Sequence, residues 1–314
     1  MSNGGRLQRL ETVARLYYEQ GLTQADIADK LEVSRPFVSR LLQEAREAGI
    51  VEITIHSLAP ACLALLERAG TEFGLVGGRL VAANGGSAGT NESIAEAALR
   101  LIDDLGGGRL GIGWGHIIGV TVETLEHRAA IKTHLTDVCP LVGNGGVPVR
   151  SYHSNENTRI FAQQCRARPH FLHTPAVAET ATELTLLKQT ANYKAMLTEW
   201  RNLDTALVNI GNYPSTPDFA SFARYGNLLV QRHAVGRLIA YFFDAAGQVV
   251  QSDKDYAIQI PLDLLARCPR VIGICAANAR PDALLGALRT GLVTHLVATE
   301  TQLEGALRRA QATT

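Results

Sequence analysis

The sequence of 314 residues lacks an excess of either charge, long apolar runs and a large number of aromatic side chains. Its 30 Lys and Arg balance 30 Asp and Glu, which excludes a protein that coats polyanions through bulk charge. A compact DNA-binding surface is still compatible, because it needs only a local basic patch. No run reaches the roughly 18 apolar residues of a membrane span, and the N-terminal MSNGGRLQRL lacks the apolar core of a secretory signal. We therefore expect a cytoplasmic protein with no membrane partner.

Cysteine is scarce, and no metal-ligand spacing is present. The five cysteines are odd in number, widely separated and without a CxxC pair, which is typical of reduced thiols in a protein core. The histidines form neither an HxH nor an HExxH pattern. We expect no metal and no cofactor. The length predicts about two domains, at roughly 150 residues each, which we place at residues 1–56 and 57–314.

The first 56 residues predict a winged helix-turn-helix. Apolar positions recur at helical spacing as far as Gly21, and Thr23 is a good N-cap for a short second helix over 24–31. Ser34 caps a third helix, with Pro36 in its first turn, where a missing N–H costs nothing. Alternating apolar residues at 51, 53 and 55 predict the strand of the wing.

The third helix would enter the major groove, with its N-terminal residues at the base edges. Arg35 or Arg40 could pair with guanine, and Phe37 could pack on a thymine methyl group. The second helix, beginning after Thr23, would contact phosphates. The predicted DNA-binding set is Thr23, Gln24, Ser34, Arg35, Phe37, Ser39 and Arg40. The alternative is a small helical bundle whose arginines are simply solvated. Residues 1–56 contain seven basic and eight acidic residues, so we expect two or more copies to be needed on one duplex.

A family resemblance rests on residues 14–55, ARLYYEQGLTQADIADKLEVSRPFVSRLLQEAREAGIVEITI. This segment resembles the DNA-binding segment of the SorC/DeoR-type regulators, the sorbitol-operon group. The opening LYYEQ, the helix SRPFVSRLL and the strand GIVEITI together carry the resemblance. It implies a transcriptional regulator that binds operator DNA as a homo-oligomer, a dimer or a tetramer.

The remaining sequence alternates strand-like and helix-like segments. Predicted strands cover 79–83, 109–112, 138–142, 206–210, 238–243, 271–275 and 295–298. Predicted helices cover 60–73, 92–105, 117–127, 155–167, 183–200 and 281–290. This alternation predicts a Rossmann-like α/β fold with a mostly parallel sheet covered on both faces. Ligands of such sheets bind beyond the carboxyl ends of the strands.

Three loops at these strand ends favour a small anionic ligand. Residues 111–116 read GIGWGH before a helix, which allows backbone N–H groups and a helix N-terminus to face an anion. The loop is not a dinucleotide fingerprint, because the third glycine is missing, and ordinary packing glycines are the alternative. The other two loops are GNGG at 143–146 and AANAR at 276–280, where Arg280 offers a bidentate fork at a helix start.

The resemblance extends through this part, because GWG, PLVGNGG, YHSNENTRIFA, RHAVGRLIAYFFDAAGQVV and THLVATET occur in the order of the SorC-type effector domain. That domain is similar to sugar-phosphate isomerases and binds a phosphorylated sugar without transforming it. The resemblance implies an effector site at Gly113, Trp114, Gly115, His116, Gly143, Asn144, Asn155, Arg237 and Arg280.

Two positions depart from the family pattern. After GWG the family has a hydroxyl residue, whereas this sequence has His116 and Ile117. The family's Gly-Asp is here Gly236–Arg237, so a carboxylate is replaced by a guanidinium. Two explanations are open. Either the effector is more acidic than a simple sugar phosphate, such as a sugar acid or a bisphosphate, or Arg237 points to solvent.

The function predicted from these residues is control of a sugar or polyol catabolic operon by a small, phosphorylated carbohydrate. The alternative is a sugar-phosphate isomerase-like enzyme with an accessory helix-turn-helix domain. An isomerase needs a positioned carboxylate base. The pair Asp103–Asp104 is typical of a solvated turn, and Arg237 stands where the nearest base would be. We therefore predict no enzyme and no catalytic residues.

Overall fold

The computed structural model describes residues 3–47, 50–51, 60–83, 86–127, 134–215 and 221–312. The chain forms two compact units, Met1–Ser57 and Leu58–Thr314, divided one residue from the predicted boundary. Within the described residues, no helix is long and apolar enough to cross a membrane.

The N-terminal unit is helical. It contains α1 (Asn3–Ala14), a π-helical turn (Arg15–Glu19), α2 (Gln24–Lys30) and α3 (Arg35–Glu47). Val13, Ile27 and Val38, one from each helix, are fully buried together, as the apolar spacing predicts. In the predicted wing strand, only Val51 lies within the described residues, where it packs on this core. Residues 53 and 55 lie outside them.

The turn between α2 and α3 is held by backbone hydrogen bonds. The N–H of Val33 donates to the carbonyl of Ala28 over 2.9 Å, and Glu32 adopts a left-handed φ of 51°. The carbonyl of Ser34 accepts from the N–H groups of Phe37 (2.9 Å) and Val38 (3.2 Å). Ser34 therefore occupies the N-cap position of α3, as predicted.

The second unit is an α/β sandwich of three layers. Its elements in chain order are α4 (Pro60–Phe73), β1 (Gly77–Val81), α5 (Gly86–Leu105), β2 (Gly108–Ile112), α6 (His116–His127), β3 (Leu135–Pro140), a 3₁₀ turn (Arg150–Tyr152), α7 (Ser154–Cys165), β4 (Arg168–Pro169), α8 (Ala181–Gln189), α9 (Ala191–Arg201), β5 (Thr205–Asn212), α10 (Ser221–Tyr225), α11 (Leu228–Gln231), β6 (Ala234–Leu238), β7 (Tyr241–Asp244), α12 (Leu262–Arg267), β8 (Arg270–Cys275), α13 (Pro281–Arg289), β9 (His295–Thr299) and α14 (Glu300–Ala312).

In the part of the chain that the structure describes, seven strands are parallel, in the order β1-β9-β8-β5-β2-β3-β4. From β2 the chain proceeds outward to β3 and β4, then returns to β5 on the other side of β2 and proceeds outward again through β8 and β9. The crossovers therefore diverge between β2 and β5, and such a switch point opens a crevice at the carboxyl ends of the two strands. Residues of α5, α6 and α7 bury one face of the sheet, and residues of α4, α9, α12, α13 and α14 bury the other.

The predicted single strand over 238–243 is wrong. The chain instead forms a hairpin of β6 and β7, in which Ile239 at the turn has a φ of 55° and is fully buried. A β-branched residue rarely adopts positive φ, so local propensity predicted a continuous strand. Tertiary hydrogen bonds hold the turn: the carbonyl of Ile239 accepts from the indole of Trp114 (3.2 Å), and the N–H of Ala240 donates to Gln259 Oε1 (3.0 Å).

The hairpin extends the sheet where β2 stops. Ile210 of β5 pairs with Cys275 of β8 and with Leu238 of β6. A strand has two edges, and β8 occupies one edge of β5. β6 therefore pairs with the other edge, the one that pairs with β2 nearer the start of β5. The hairpin therefore stands at the carboxyl edge of the switch point.

The predicted helix over 183–200 is two helices, because Thr190 interrupts it. Thr190 has an extended ψ of 148°, and its hydroxyl donates to the carbonyl of Leu187 (2.7 Å) and accepts from the N–H of Tyr193 (3.2 Å). One threonine thereby ends α8 and begins α9. Threonine is favoured at N-caps but also occurs within helices, so apolar periodicity alone could not locate this break.

Candidate DNA-binding surface and effector cavity

The first residues of α3 form an exposed basic surface. Arg35, Ser39 and Arg40 are exposed, and Phe37 is half-buried. The guanidinium of Arg40 lies 5.0 Å from the centre of the Phe37 ring, and that of Arg9 lies 5.2 Å from it. Such contacts orient long cationic side chains while leaving their donors available. The sequence reasoning missed Arg9, because it lies on α1, 28 positions before Phe37.

Glu44, an acidic residue of α3 near this surface, is paired with arginines. Glu44 lies 3.0 Å from Arg6 and 3.9 Å from Arg40. Exposed pairs of this type contribute little to stability, so the arginines can exchange them for phosphates at low cost. The surface consists of Arg9, Arg35, Phe37, Ser39 and Arg40, and we refer to it as the α3 surface.

Thr23 and Gln24 lie at the start of α2. The Thr23 hydroxyl accepts from the N–H of Asp26 (3.2 Å), and the Thr23 N–H donates to Asp26 Oδ2 (3.0 Å). These two hydrogen bonds form a capping box. The Thr23 hydroxyl, which donates to Asp26 Oδ2 (2.7 Å), and then the Thr23 N–H hold the pKa of Asp26 below its ordinary value. The predicted N-cap is thus confirmed. Thr23 is exposed and Gln24 is half-buried, so their contacts with phosphates stay a prediction.

A small cavity lies at the switch point of the second unit. It measures about 100 Å³ and opens between the ends of β2 and β5, beside the hairpin. Its lining comprises Gly115, His116, Ile117, Tyr152, Asn209, Ile210, Gly211, Asn212, Ser215, Arg237, Ala276, Asn278 and Ala279. None of these is Asp or Glu. Three of the predicted effector residues, Gly115, His116 and Arg237, are brought together here.

Two helices begin at the cavity. The carbonyl of Gly115 accepts the first hydrogen bond of α6, from Gly119 (2.9 Å), and Arg280 is the N-cap of α13. Helix N-termini carry partial positive charge and favour anions. Gly115 has a φ of +105°, which side-chain-bearing residues rarely adopt, and a Cβ there would lie 3.4 Å from Asn209 Nδ2. This loop therefore requires glycine at position 115 because of its backbone conformation.

Arg237 enters the cavity through its register in the hairpin. It pairs directly with Gly211 of β5, and directly opposed residues share a face of the sheet. Asn209 lies two residues before Gly211, so its side chain is on that face too. Arg237 and Asn209 are 7% and 6% exposed. The structure therefore excludes the reading in which Arg237 points to solvent.

Tyr152 positions the guanidinium from the α6 side. Its hydroxyl accepts hydrogen bonds from Arg237 and from the N–H of His116. Burial raises the pKa of Tyr152 above its ordinary value, although the positive charge of Arg237 opposes the shift. Tyr152 is therefore a neutral phenol at physiological pH.

Asn209 has an unmet hydrogen-bond acceptor. Its Oδ1 is buried and has no partner among the described residues. An unpaired buried polar atom costs free energy unless a ligand or water satisfies it. The sequence contained a signal for this residue, because Asn209 is the polar interruption in the apolar run ALVNI.

The other predicted effector residues lie elsewhere. Trp114 is 2% exposed, stacks edge-on against Tyr152 at 5.6 Å and anchors the hairpin turn. Gly113 continues β2, donating its N–H to the carbonyl of Leu207 (2.8 Å). Neither residue lines the cavity. Arg280 is exposed, and its guanidinium donates to the carbonyl of Tyr213.

Gly143, Asn144 and Asn155 form a structural junction outside the cavity lining. Asn155 both accepts from the N–H of Leu172 (3.0 Å) and donates to its carbonyl (3.1 Å). Oδ1 of Asn144 accepts from the N–H of Asn155 (3.1 Å). A Cβ on Gly143 would lie 2.2 Å from the carbonyl oxygen of Pro175. These residues join three chain segments, so their placement favours a structural role.

One cluster in the described residues has groups that could hold a metal: Asp137, His170 and Glu199. Sequence reasoning missed it because the three residues are far apart in the chain. His170 Nε2 lies 2.8 Å from Asp137 Oδ1, and the guanidinium of Arg109 lies 3.1 Å from Glu199. The His170 hydrogen bond is the main cause that lowers the pKa of Asp137. Arg109 already supplies a cation to these carboxylates.

Comparisons with known proteins agree with this architecture. The chain matches the Sugar-bind family model, a sugar-binding domain, over residues 60–308, and the MarR family model over residues 8–57. It is 30% identical to the sorbitol operon regulator of Klebsiella pneumoniae, covering 95% of this chain and 96% of that protein. It is 28% identical to the transcriptional regulator LsrR of Escherichia coli K12, covering 96% and 95%.

The structure of full-length SorC from Klebsiella pneumoniae superposes with a TM-score of 0.75 at 27% identity, covering 96% of this chain and 98% of that one. The fold and these matches thus define a DNA-binding regulator with a sugar-binding domain. The chain belongs to the SorC family of sugar-binding transcriptional regulators. The relatives are regulators, which contradicts the isomerase alternative.

Proposed function

We propose that this protein controls a sugar or polyol catabolic operon. The α3 surface binds operator DNA, and a small carbohydrate binds in the switch-point cavity. The observation that carries the proposal is the presence in one chain of an exposed arginine-rich recognition helix and of a buried polar cavity at a switch point. Such a regulator acts in the cytoplasm, where the operator is accessible.

Each part of the α3 surface has a role in this proposal. Arg35 and Arg40 reach base edges, where arginine pairs bidentately with guanine. The ring of Phe37 contacts the guanidinium groups of Arg40 and Arg9 and so helps to orient them, and Thr23 and Gln24 contact phosphates. Because basic and acidic residues nearly balance in residues 1–56, one copy binds weakly. We therefore propose a homo-oligomer, a dimer or a tetramer, that places two or more recognition helices on one duplex.

Effector binding changes the affinity for DNA through linkage. The ligand must bind two arrangements of the protein with different affinity, and a coupling of about 1–3 kcal/mol is typical of such systems. In the cavity, the loop at Gly115 follows β2, and the hairpin that carries Arg237 pairs with β5. Both segments contact the ligand. These two segments are the ones whose positions a bound ligand would fix.

The experiment measures binding to a duplex selected from random sequences by the full-length protein. Arg35→Ala and Arg40→Ala are each expected to weaken binding by roughly 10- to 100-fold, since one bidentate base contact contributes about 1–3 kcal/mol. Arg308→Ala is the matched control, because Arg308 is an exposed arginine of α14 in an ordinary helical pair with Glu304. Undiminished affinity in both variants, or equal wild-type affinity for all sequences, would contradict the proposal.

A further inference from the structure

The carboxylate of Glu44 contacts arginines from two helices of the N-terminal unit. Its Oε2 accepts a hydrogen bond from Arg6 of α1 (3.0 Å), and its Oε1 lies 3.9 Å from Nε of Arg40 on α3. The Glu44 side chain is 26% exposed, whereas those of Arg6 and Arg40 are 67% and 65% exposed. Two guanidinium groups thus lie beside the carboxylate and remain largely open to solvent.

Arg40 is held weakly from both directions along α3. The centre of the Phe37 ring, three residues before it, lies 5.0 Å from its guanidinium, and Glu44 follows four residues after it. At 3.9 Å, the contact with Glu44 is an ion pair but is too long for a hydrogen bond. Both contacts leave the N–H donors of Arg40 available, so this guanidinium can bind either Glu44 or DNA.

The other arginines of the α3 surface have no such carboxylate. Arg9 and Arg35 form no ion pair within the described part of the chain. Among the arginines of this surface, Glu44 therefore acts on Arg40, which is one of the two for which we propose a contact with a base.

Close to DNA, the Glu44 carboxylate opposes the phosphates. It lies about one helical turn from Arg40, or about 6 Å along the helix axis, which is less than the screening length of about 8 Å at physiological ionic strength. Phosphates that approach Arg40 are repelled by Glu44 and compete with it for the guanidinium. A duplex that offers guanine to Arg40 gains a bidentate pair that offsets this loss. Other duplexes gain no such pair, so the repulsion weakens them more.

We propose that Glu44 is a specificity-determining residue: it withholds Arg6 and Arg40 from DNA phosphates and so weakens binding to duplexes that lack the base partner of Arg40. Glu44 acts in this way only if the α3 surface binds operator DNA, so the inference rests on the proposed function. The carboxylate acts through the two arginines rather than on a base. Glu44 is therefore an addition to the DNA-binding residues predicted from the sequence.

The test compares the full-length wild type with Glu44→Gln on the selected duplex and on a scrambled duplex of the same length and composition, at several salt concentrations. We expect the variant to bind the scrambled duplex about 5- to 10-fold more tightly and the selected duplex less than about 2-fold more tightly, so that the ratio of the two affinities falls. On the scrambled duplex, the slope of log K against log salt concentration is expected to steepen by about 0.9 for each additional phosphate contact.

Three further variants separate this effect from a general change in charge. Glu11→Gln removes the same charge from a carboxylate of α1 that pairs with Arg15 (3.0 Å), and it is expected to leave the ratio of affinities unchanged. Glu44→Asp keeps the charge on a shorter side chain and is expected to retain most of the discrimination. In an Arg40→Gln background, Glu44→Gln is expected to change the ratio less, because the base contact of Arg40 is absent. Exposed ion pairs contribute little to stability, so these variants are expected to fold.

An equal rise in affinity for both duplexes would overturn the inference, as would a ratio that changes no more in Glu44→Gln than in Glu11→Gln. Weaker binding of the selected duplex alone would overturn it too, because Glu44 would then contact a base directly, as acidic side chains do at cytosine. A wild type that binds all duplexes equally would refute the proposed function and the inference together. A wild type and a Glu44→Gln variant that discriminate equally well would refute the inference and leave the regulator intact.

Discussion

Arginine has different surroundings in the two units of this protein. In the N-terminal unit, Arg40 is exposed and rests on the half-buried ring of Phe37. In the second unit, Arg237 is 7% exposed and lies between Gly211 and Tyr152. An exposed guanidinium suits a long polyanion that approaches from solvent, and its affinity depends on salt. A buried one suits a small anion that must shed its water to enter.

The two sites also differ in the number of secondary-structure elements that support them. The α3 surface is built on one helix with one partner from α1. Its arginines and Ser39 can change without altering a core, whereas Phe37 packs against the core of this unit. The cavity is built from the ends of β2 and β5, the hairpin, a 3₁₀ turn and the starts of α6 and α13. We therefore expect substitutions at the α3 surface to affect binding more than stability, and substitutions around the cavity to affect both.

The largest expected effect on stability is that of Trp114→Ala. It removes a buried indole and its hydrogen bond to Ile239, so we expect a loss of about 3–5 kcal/mol in the free energy of unfolding. Phe37→Ala, the comparable aromatic at the α3 surface, is expected to cost only about 1–2 kcal/mol because its ring is half-buried. Urea unfolding followed by circular dichroism measures both. Similar losses in the free energy of unfolding of the two variants would contradict the expected difference between the two units.

An intermediate effect is expected for alanine at two glycines with positive φ. Gly115→Ala places a side chain at a φ of +105° against Asn209, which is expected to cost about 1–3 kcal/mol and to weaken effector binding. Gly21→Ala in the N-terminal unit has a φ of +67° and no atom within 4 Å of the new Cβ. It is expected to cost about 1 kcal/mol without affecting the effector.

Hydrogen exchange of the backbone amides shows which segment each substitution destabilises. The Gly115→Ala change is expected to raise exchange at the start of α6, and the Gly21→Ala change at the start of α2. Effector binding that survives in Gly115→Ala at wild-type affinity would show that this loop does not contribute to the site.

The smallest effect concerns acid stability. The hydrogen bond from His170 lowers the pKa of Asp137 below 3.8, so this interaction stabilises the fold above that pH and is lost as the pH falls through the lowered pKa. We expect His170→Asn to be less stable than the wild type at about pH 5, with the difference shrinking toward about pH 3 and amounting to less than about 1 kcal/mol throughout.

The matching variant in the N-terminal unit is Thr23→Ala. Asp26 has its pKa lowered by the hydroxyl and N–H of Thr23, so the sign is the same and the stability difference again shrinks as the pH falls. Unfolding measured at several pH values with each variant tests both. A difference that grows on acidification in either variant would contradict the assigned cause of that pKa shift.

Much of the N-terminal unit was predictable because its determinants are local. Thr23, Ser34 and Pro36 each act within three or four residues of their own position, through capping and the first helical turn. The exposed arginines of α3 followed from the same helical spacing. Arg9 did not, because its contact with Phe37 depends on how α1 packs against α3.

In the second unit the sequence determined the alternation of strands and helices, and hence the sheet and the edge at which we propose that a ligand binds. It also singled out Arg237 as a departure from the pattern of its family, without deciding where the side chain points. Only the tertiary structure decided that, because the register of β6 on β5 places Arg237 opposite Gly211 and beside Asn209. The same long-range contacts force Ile239 into a turn that its own propensity opposes, and direct Asn144 and Asn155 into a junction away from the cavity. Local preferences amount to tenths of a kcal/mol per residue, so the burial and hydrogen bonds that assemble a core determine where side chains finally lie.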